Sequence, residues 1–346
     1  MGRTALRRII DHPDLELVGV HVYDERKVGL DAGKIARRPL TGVLATGSID
    51  AIVALKPDVV IHTPRISNPY TVQDQAVIEL LRSGCNVIST AGFHFPEAHG
   101  AAYSAPLLNA CLSGQSTLAG LGLNPGFVAE RLAALLTGMC AQLSSLATYE
   151  IADASSMPSP AFVFDTMGFG TDPQQTDITR GPLATLYGAL FLEVFHAVAD
   201  MLGTQVANVV PQHHLTLAPR DITIAAGTIK TGTVAATEWR WQAEFADKRR
   251  MIHSVTWTAD PTLHGAGARD AASWRIEIKG RPNVRATLLI EDPDPGAPHT
   301  RAGADATIAL ALRAIPDVCA AAPGFFKLPT FGAYSDRLTA PLTARA

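Results

Sequence analysis

In the first third of the chain the apolar positions fall in short unbroken runs separated by segments of helix length. Pro57-Asp58-Val59-Val60-Ile61-His62-Thr63-Pro64 is almost wholly apolar and is stopped by proline; Cys85-Asn86-Val87-Ile88-Ser89-Thr90 and Ser116 to Gly122 have the same texture. Unbroken apolar runs of this length suit parallel strands covered on both faces. Between them the pattern predicts helices from Ser48, as cap, to Leu55, from about Pro69 to Arg82, and from Glu97 to Leu112. Ahead of them, Met1 to Ile10 reads as a helix with Leu6, Ile9 and Ile10 on one face, and Leu15 to Asp24 as a strand with a polar end. Repeated strand–helix units over residues 1–125 predict an α/β domain, a Rossmann-type doubly wound parallel sheet.

Beyond residue 125 the period changes to two. A helix from about Phe127 to Thr137 leads into Leu146–Ala152, and alternation recurs over Val234–Phe245, Ile252–Thr258, Trp274–Lys279 and Arg285–Ile290. Such alternation predicts an antiparallel sheet with one covered face. Residues 126–300 therefore read as an α+β domain for substrate binding and oligomerisation. Leu183 to Leu202 is the most apolar long stretch, but Glu193, His196 and Asp200 interrupt it, so it reads as a core or interface helix, not a membrane span. Ala302 to Ala314 is again helical, with Pro316 expected to stop it. The tail from Ala320 to Tyr334 reads as loop, and residues 301–346 are expected to pack back on the first domain.

The opening helix and strand form the second half of a βαβ unit. Gly2 stands where the third glycine of a G-x-G-x-x-G loop belongs, while the first strand and the first two glycines of that unit are not in the sequence. Two explanations stand: a start placed too far downstream, or a truncated relative of a nucleotide-binding protein. Either way the sheet is expected to lack one interior strand. A helix N-terminus offers unpaired N–H groups and partial positive charge to a pyrophosphate, and Gly2 lets helix and sheet approach, with Arg3 placed to touch a phosphate. At the end of the next strand, Asp24 suits the ribose hydroxyls of NAD, whereas Arg26 and Lys27 suit a 2′-phosphate; the choice between NAD and NADP stays open.

Bulk properties leave this reading in place. The 346 residues suffice for two domains, and a formal net charge of −3 gives no basic surplus for nucleic acid. Four cysteines without a C-x-x-C spacing suit a reducing, cytoplasmic compartment. His213, His214, His253 and His264 lack metal-ligand spacing, so no metal is assigned.

Candidate chemistry gathers where apolar strands end, because ligands of open α/β sheets bind at the carboxyl edge. Thr63, Pro64, Thr90 and Ala91 are small or compact residues that let a nicotinamide lie flat against backbone. In Gly92-Phe93-His94-Phe95-Pro96-Glu97, His94 is a candidate general acid and Glu97 a candidate for holding a proton or a cationic nitrogen; the plain alternative for Glu97 is a first-turn helix residue favoured by the dipole. Asn124, before Pro125-Gly126, is placed either to hold the nicotinamide carboxamide or substrate, or to serve only as a hinge. Phe93, with Phe164, Met167 and Phe169 from a glycine-flanked aromatic stretch, is expected to wall a substrate pocket; dimer packing is the alternative for that stretch.

MGRTALRRIIDHPDLELVGVHVYD, DVVIHTP, NVISTAGFHFPEA and GLNPGFVAERL together resemble the dihydrodipicolinate reductase-like NAD(P)-binding family. The likeness is nearest its 2,4-diaminopentanoate dehydrogenase and native amine dehydrogenase branch, and extends more loosely to WRIEIKGRPNV and ALRAIPDVCAAAPGF. It implies a Rossmann domain, an α+β domain for substrate and dimer contact, and NAD(P)H-dependent chemistry at a carbon–nitrogen bond. The sequence lacks the paired-histidine segment of dihydrodipicolinate reductase itself. The amine dehydrogenases carry a glutamate just after the strand ending here in Ser89-Thr90-Ala91, where this chain has Gly92-Phe93-His94; Glu97 is the nearby carboxylate. The expectation is thus an NAD(P)-dependent oxidoreductase acting on a C=N or C=O carbon of a small, partly apolar substrate, as a homodimer. Simple ketone or alcohol chemistry and a non-catalytic nucleotide-binding dimer are the alternatives.

Overall fold

The computed structural model describes residues 1–64, 70–174, 182–265, 272–294, 296–297, 300–327 and 332–335. The chain divides into two compact units, Met1–Gly126 with Thr300–Leu328, and Phe127–His299 with Pro329–Ala346. The first opens with α1 (Gly2–Ile10), β1 (Val20–His21), α2 (Ala32–Ala36), β2 (Ala45–Thr46) and α3 (Ile49–Ala54). It continues through β3 (Val59–His62), α4 (Asp74–Arg82), β4 (Asn86–Ser89), α5 (Ala101–Gly114) and β5 (Thr117–Gly120). Strand β1 pairs with β2 in a short parallel ladder, while β3, β4 and β5 pair in parallel in a separate sheet. The expected strand Leu15–Asp24 shrinks to Val20–His21, because β2 offers only Ala45 and Thr46 as ladder partners. The expected helix from Glu97 opens as a 3₁₀ turn, Pro96–His99, and restarts at Ala101, broken by Gly100 at φ 85°. The proposed start of the preceding helix at Pro69 lies outside the described residues.

The second unit holds α6 (Ala133–Thr137), β6 (Gln142–Asp153), α7 (Pro182–Met201), β7 (Val206–Leu217) and a small hairpin of β8 (Ile222–Ile224) and β9 (Gly227–Ile229). Strands β10 (Val234–Phe245), β11 (Arg250–Thr258), β12 (Ala272–Arg281) and β13 (Val284–Leu289) follow. They join a six-stranded sheet in the order β13-β12-β6-β11-β10-β7. The alternating segments lie in this sheet, but it is mixed where an antiparallel one was expected: β6 and β11 run parallel, in register from Ser145↔Arg250 to Asp153↔Thr258. By length and composition Leu183–Met201 could cross a membrane. Its Val194, Phe195 and Val198 are fully buried, however, and Tyr187 and Phe191 pack on tryptophans of β10, as a core helix does.

The chain then returns to the first unit with α8 (Thr300–Arg313), α9 (Ile315–Ala320) and β14 (Gly324–Phe325). α8 ends at Arg313, just before Pro316 as expected, but Pro316 also sits in the first turn of a further helix, α9, where its missing N–H leaves no broken bond. The tail is not all loop, since β14 adds a parallel strand beside β5. Both faces of the four-stranded sheet are covered, which is why its strands carry no polar alternation. Ile52, Val77, Leu81 and Leu107 pack with Val87 and Leu118 in one core, and Ala311, Ala314 and Val318 with Ile88, Ala119 and Leu121 in another.

Candidate active site

The carboxyl ends of β3, β4 and β5 bring together most of the first unit's expected site residues. Helix α1 begins beside this edge: a Cβ added at Gly2 would lie 3.2 Å from the Thr63 hydroxyl oxygen, just past β3. Its N-cap, Met1, makes no side-chain hydrogen bond. Arg3 is exposed on this first turn. The helix's other arginines have structural partners: Arg7 Nε donates to the Ala36 carbonyl at 2.7 Å, and Arg8 pairs with Asp305 at 3.0 Å.

At the ends of β3 and β4 two buried side chains meet that sequence reasoning passed over as strand interior. His62 Nδ1 and Ser89 Oγ are 3.1 Å apart, and Ser89 Oγ also accepts the Ala91 N–H at 3.3 Å. Burial, aided by the nearby His21, pushes the His62 imidazole down to about 4, so it is neutral near pH 7. Its Nε2 is buried without a hydrogen-bond partner. The signal in the sequence was a single imidazole closing an apolar run, directly before Thr63-Pro64.

The loop after β4 is shaped by missing side chains. Gly92 has φ 157° and Phe93 φ 64°, a left-handed conformation that costs a non-glycine residue energy. The turn lies directly on Gly120: a Cβ there would come within 2.3 Å of both Phe93 C and His94 N. His94 Cε1 would lie 4.0 Å from a Cβ at Gly122 and 3.1 Å from one at Gly126. The turn between these glycines contains the cis Asn124–Pro125 peptide and Gly126 at φ 118°. Bare backbone thus surrounds the imidazole of His94 and places the Asn124 turn against it. Thr90 and Ala91 lie at the same edge, the Thr90 N–H bonded to the His62 carbonyl at 3.0 Å.

Other expected residues are placed differently. Phe93 belongs to the hydrophobic core around Leu81, Val87 and Leu118 and is 7% exposed. Glu97 is exposed, with its carboxylate 3.5 Å from Lys327 Nζ, and that ammonium also lies 4.2 Å from the centre of the Phe95 ring. Asp24 caps the short turn Glu25–Lys27 and takes Arg26 on both oxygens at 2.9 and 3.0 Å, which lowers its pKa. In the second unit, Phe164 lies in a π-helical turn, Ala161–Thr166, that ends with Met167 N–H bonded to the Phe162 carbonyl at 2.9 Å. Its ring packs over Gly170 and Gly227, where added Cβ atoms would lie 3.5 and 3.2 Å away. Met167 and Phe169 are fully buried in that unit.

A helix N-terminus beside a strand-end hydroxyl suits a phosphate, so these residues fit the phosphate end of a dinucleotide. The fold and this edge define a Rossmann-type dehydrogenase with a C-terminal domain. The family model of the 2,4-diaminopentanoate dehydrogenase C-terminal domain matches residues 127–336, and the chain belongs to that family. An amine dehydrogenase of Streptomyces virginiae is 26% identical over 343 residues, covering 94% of this chain and 92% of the relative. The solved amine dehydrogenase of Mycobacterium smegmatis shares the fold with a TM-score of 0.72 at 18% identity, over 94% of this chain and 91% of that one. GenD2 from gentamicin A biosynthesis, solved in complex with NAD, has a TM-score of 0.50 at 17% identity, over 92% and 84% of the two chains. As a member of this family the protein is an NAD(P)-dependent dehydrogenase.

Proposed function

We propose that the protein catalyses NAD(P)-dependent interconversion of a small, partly apolar amine with its carbonyl compound through the carbon–nitrogen double bond. The observation that carries this reading is the membership in a diaminopentanoate dehydrogenase family together with two relatives that are amine dehydrogenases. When bound, the nicotinamide accepts or delivers the hydride. Gly2 and Arg3 would hold the pyrophosphate, and Asp24 the ribose. Thr63, Pro64, Thr90 and Ala91 would back the nicotinamide, with Asn124 at its carboxamide. Because Asp24 is already engaged by Arg26, a 2′-phosphate reaching Arg26 would compete with Asp24 for it, which favours NAD.

His94 would pass a proton to or from the substrate heteroatom, its ring oriented by the glycine-floored turn. Phe164, Met167 and Phe169 would contribute apolar wall. A homodimer in the reducing cytoplasm completes the reading. Its support is four free cysteines and a second face of the six-stranded sheet bearing half-buried polar groups, such as Tyr149 under Arg275 at 4.7 Å and the Glu238–Arg240 pair. Ketone or alcohol chemistry is the second reading, favoured by the exposed position of Glu97 and its pairing with Lys327.

The deciding experiment follows oxidation of NADH and NADPH by purified protein with a panel of small ketones, with and without ammonium. Oxidation that requires both ketone and ammonium is expected. Oxidation with ketone alone establishes the second reading, and cofactor binding without oxidation across the panel overturns both. His94→Asn should lower kcat by about 10²- to 10⁴-fold while leaving the Kd for the cofactor within about twofold.

A further inference from the structure

His94 stands between two anchors. On its N-terminal side Phe93, at φ 64°, packs its ring in the core with Leu81, Val87 and Leu118, and its backbone lies against Gly120. A left-handed residue that is not glycine persists only where its surroundings over-determine it, so the other end of the turn bears directly on where the imidazole sits. On that C-terminal side Phe95 and Glu97 flank Pro96, whose fixed φ opens the 3₁₀ turn Pro96–His99. Ala98 N–H donates to the Phe95 carbonyl and Gly100 N–H to the Glu97 carbonyl, both at 3.0 Å, which holds the two residues in one arrangement. Their side chains meet a single ammonium. Lys327 Nζ lies 3.5 Å from the Glu97 carboxylate and 4.2 Å from the centre of the Phe95 ring.

This ammonium comes from near the end of the chain. β14 runs parallel to β5, so the residues that follow it emerge at the carboxyl edge of the sheet, where the loop after β4 crosses Gly120. Gly324 N–H donates to the Ser116 carbonyl at 3.1 Å, and Phe326 N–H to the Leu118 carbonyl at 2.8 Å. Phe325 packs on the core around Leu118, and Phe326 on the core around Ala119 and Leu121. Strand pairing and two rings on opposite faces of the sheet therefore fix the backbone immediately before Lys327.

An exposed ion pair alone holds little, because water and salt screen it and two side chains must be ordered to make it. Here one nitrogen makes two contacts, the second with the face of an aromatic ring, and both act on a segment that proline has already stiffened. We propose that Lys327 is a positioning residue: it clamps Phe95 and Glu97, and so fixes the turn that carries His94. The inference rests on the reading of His94 as proton carrier, and gives Glu97 the part of a strut in the loop.

Two measurements separate the clamp from the chemistry. Amide exchange over peptides spanning residues 92–100, followed by mass spectrometry, reads the clamp; kcat and KM for ketone with ammonium and NADH read the reaction. Lys327→Met keeps the stem and removes the charge. Exchange in the segment should then quicken about tenfold, with kcat lower by about 5- to 30-fold and KM within about twofold of native. Lys327→Arg, whose guanidinium also pairs with carboxylates and lies on rings, should return both measurements to within about twofold of native. Glu97→Gln, which keeps the ring contact, should fall between. Raising NaCl from about 0.05 to about 1 M should quicken exchange in the native segment and leave that of Lys327→Met unchanged. Native exchange in Lys327→Met overturns the proposal, as does a Lys327→Arg protein no better than Lys327→Met. Quickened exchange with native kcat, where His94→Asn is impaired, overturns it too, since the turn then moves without consequence for the reaction. If His94→Asn turns over at the native rate, the reading of His94 fails, while quickened exchange in Lys327→Met still upholds the clamp.

Discussion

Gly120 shows how a missing side chain can build a site. Three backbone atoms, Phe93 C, His94 N and Gly92 O, would lie within 2.5 Å of a Cβ there, and backbone cannot swing aside as a flexible side chain can. Gly120→Ala should therefore cost about 3 kcal/mol or more in urea unfolding, the upper end of overpacking penalties, and displace His94 with loss of turnover. Gly188→Ala is the contrasting case, since an added methyl in α7 meets nothing within 4 Å; a gain of up to about 1 kcal/mol is expected. His62 gives a pH dependence of definite sign. Its pKa is about 4 when folded, against 6.5 for an ordinary imidazole, so below pH 6.5 the unfolded chain takes up a proton that the folded one refuses. Stability is then full above pH 6.5 and falls toward pH 4, by roughly 3 kcal/mol at about 1.4 kcal/mol per pKa unit. His62→Asn, which keeps a polar atom near Ser89, should flatten that part of the stability profile; an unchanged slope would show that His62 does not cause it. Neither residue was legible in sequence for a common reason. The role of Gly120 depends on a loop some 30 residues away in the chain, and His62 reads as strand until burial and Ser89 give it a chemical setting.

Among elements, legibility followed the surroundings of each segment. β3, β4 and β5 could be read because both their faces are buried, which imposes unbroken apolar runs: Val59–His62, Asn86–Ser89 and Thr117–Gly120 all lie inside the runs identified. β7 was missed because Pro211, Gln212 and two histidines interrupt its pattern. It lies at the edge of its sheet, the position where proline is tolerated. The parallel β6–β11 pair was invisible for a different reason. Alternation reports which face is covered, not the direction of the neighbouring strand, and these two strands are far apart in the chain. The fate of the C-terminal segment was partly legible, its helical period clear but its partners not. Val318 in α9 is fully buried against Ile88 and Leu121 from β4 and its neighbour β5. Val318→Ala should lower stability by about 2 kcal/mol and speed amide exchange in β4 and β5, while exchange in β10 and β11 of the other unit stays at the native rate.

At the scale of the whole molecule, the first unit is discontinuous, and that predicts how it folds. Residues 1–126 hold three strands of the four-stranded sheet but only one of its two cores in full. The other needs Ala311, Ala314 and Val318 to cover Ile88, Ala119 and Leu121, and the β5 edge needs β14, with Gly324 N–H bonded to Ser116 O at 3.1 Å and Phe326 N–H to Leu118 O at 2.8 Å. A fragment ending at Gly126 would expose this apolar sheet face together with an open strand edge, the combination that promotes association over folding. Fragment 1–126 expressed alone should thus show weak amide protection in β4 and β5 and a tendency to aggregate. The same fragment joined to residues 300–327 by a flexible Gly/Ser linker should recover slow exchange in those strands, because the linker restores both the missing core residues and the edge partner without the intervening unit. Native-like protection in the bare fragment would show that the first core alone stabilises the sheet. Failure of the joined fragment would show that folding of the first unit draws on residues 127–299, even though each unit has a compact contact set of its own. The expected result places the last step of folding after synthesis of α9 and β14, so the edge at β3, β4 and β5 is completed only when nearly the whole chain has been made.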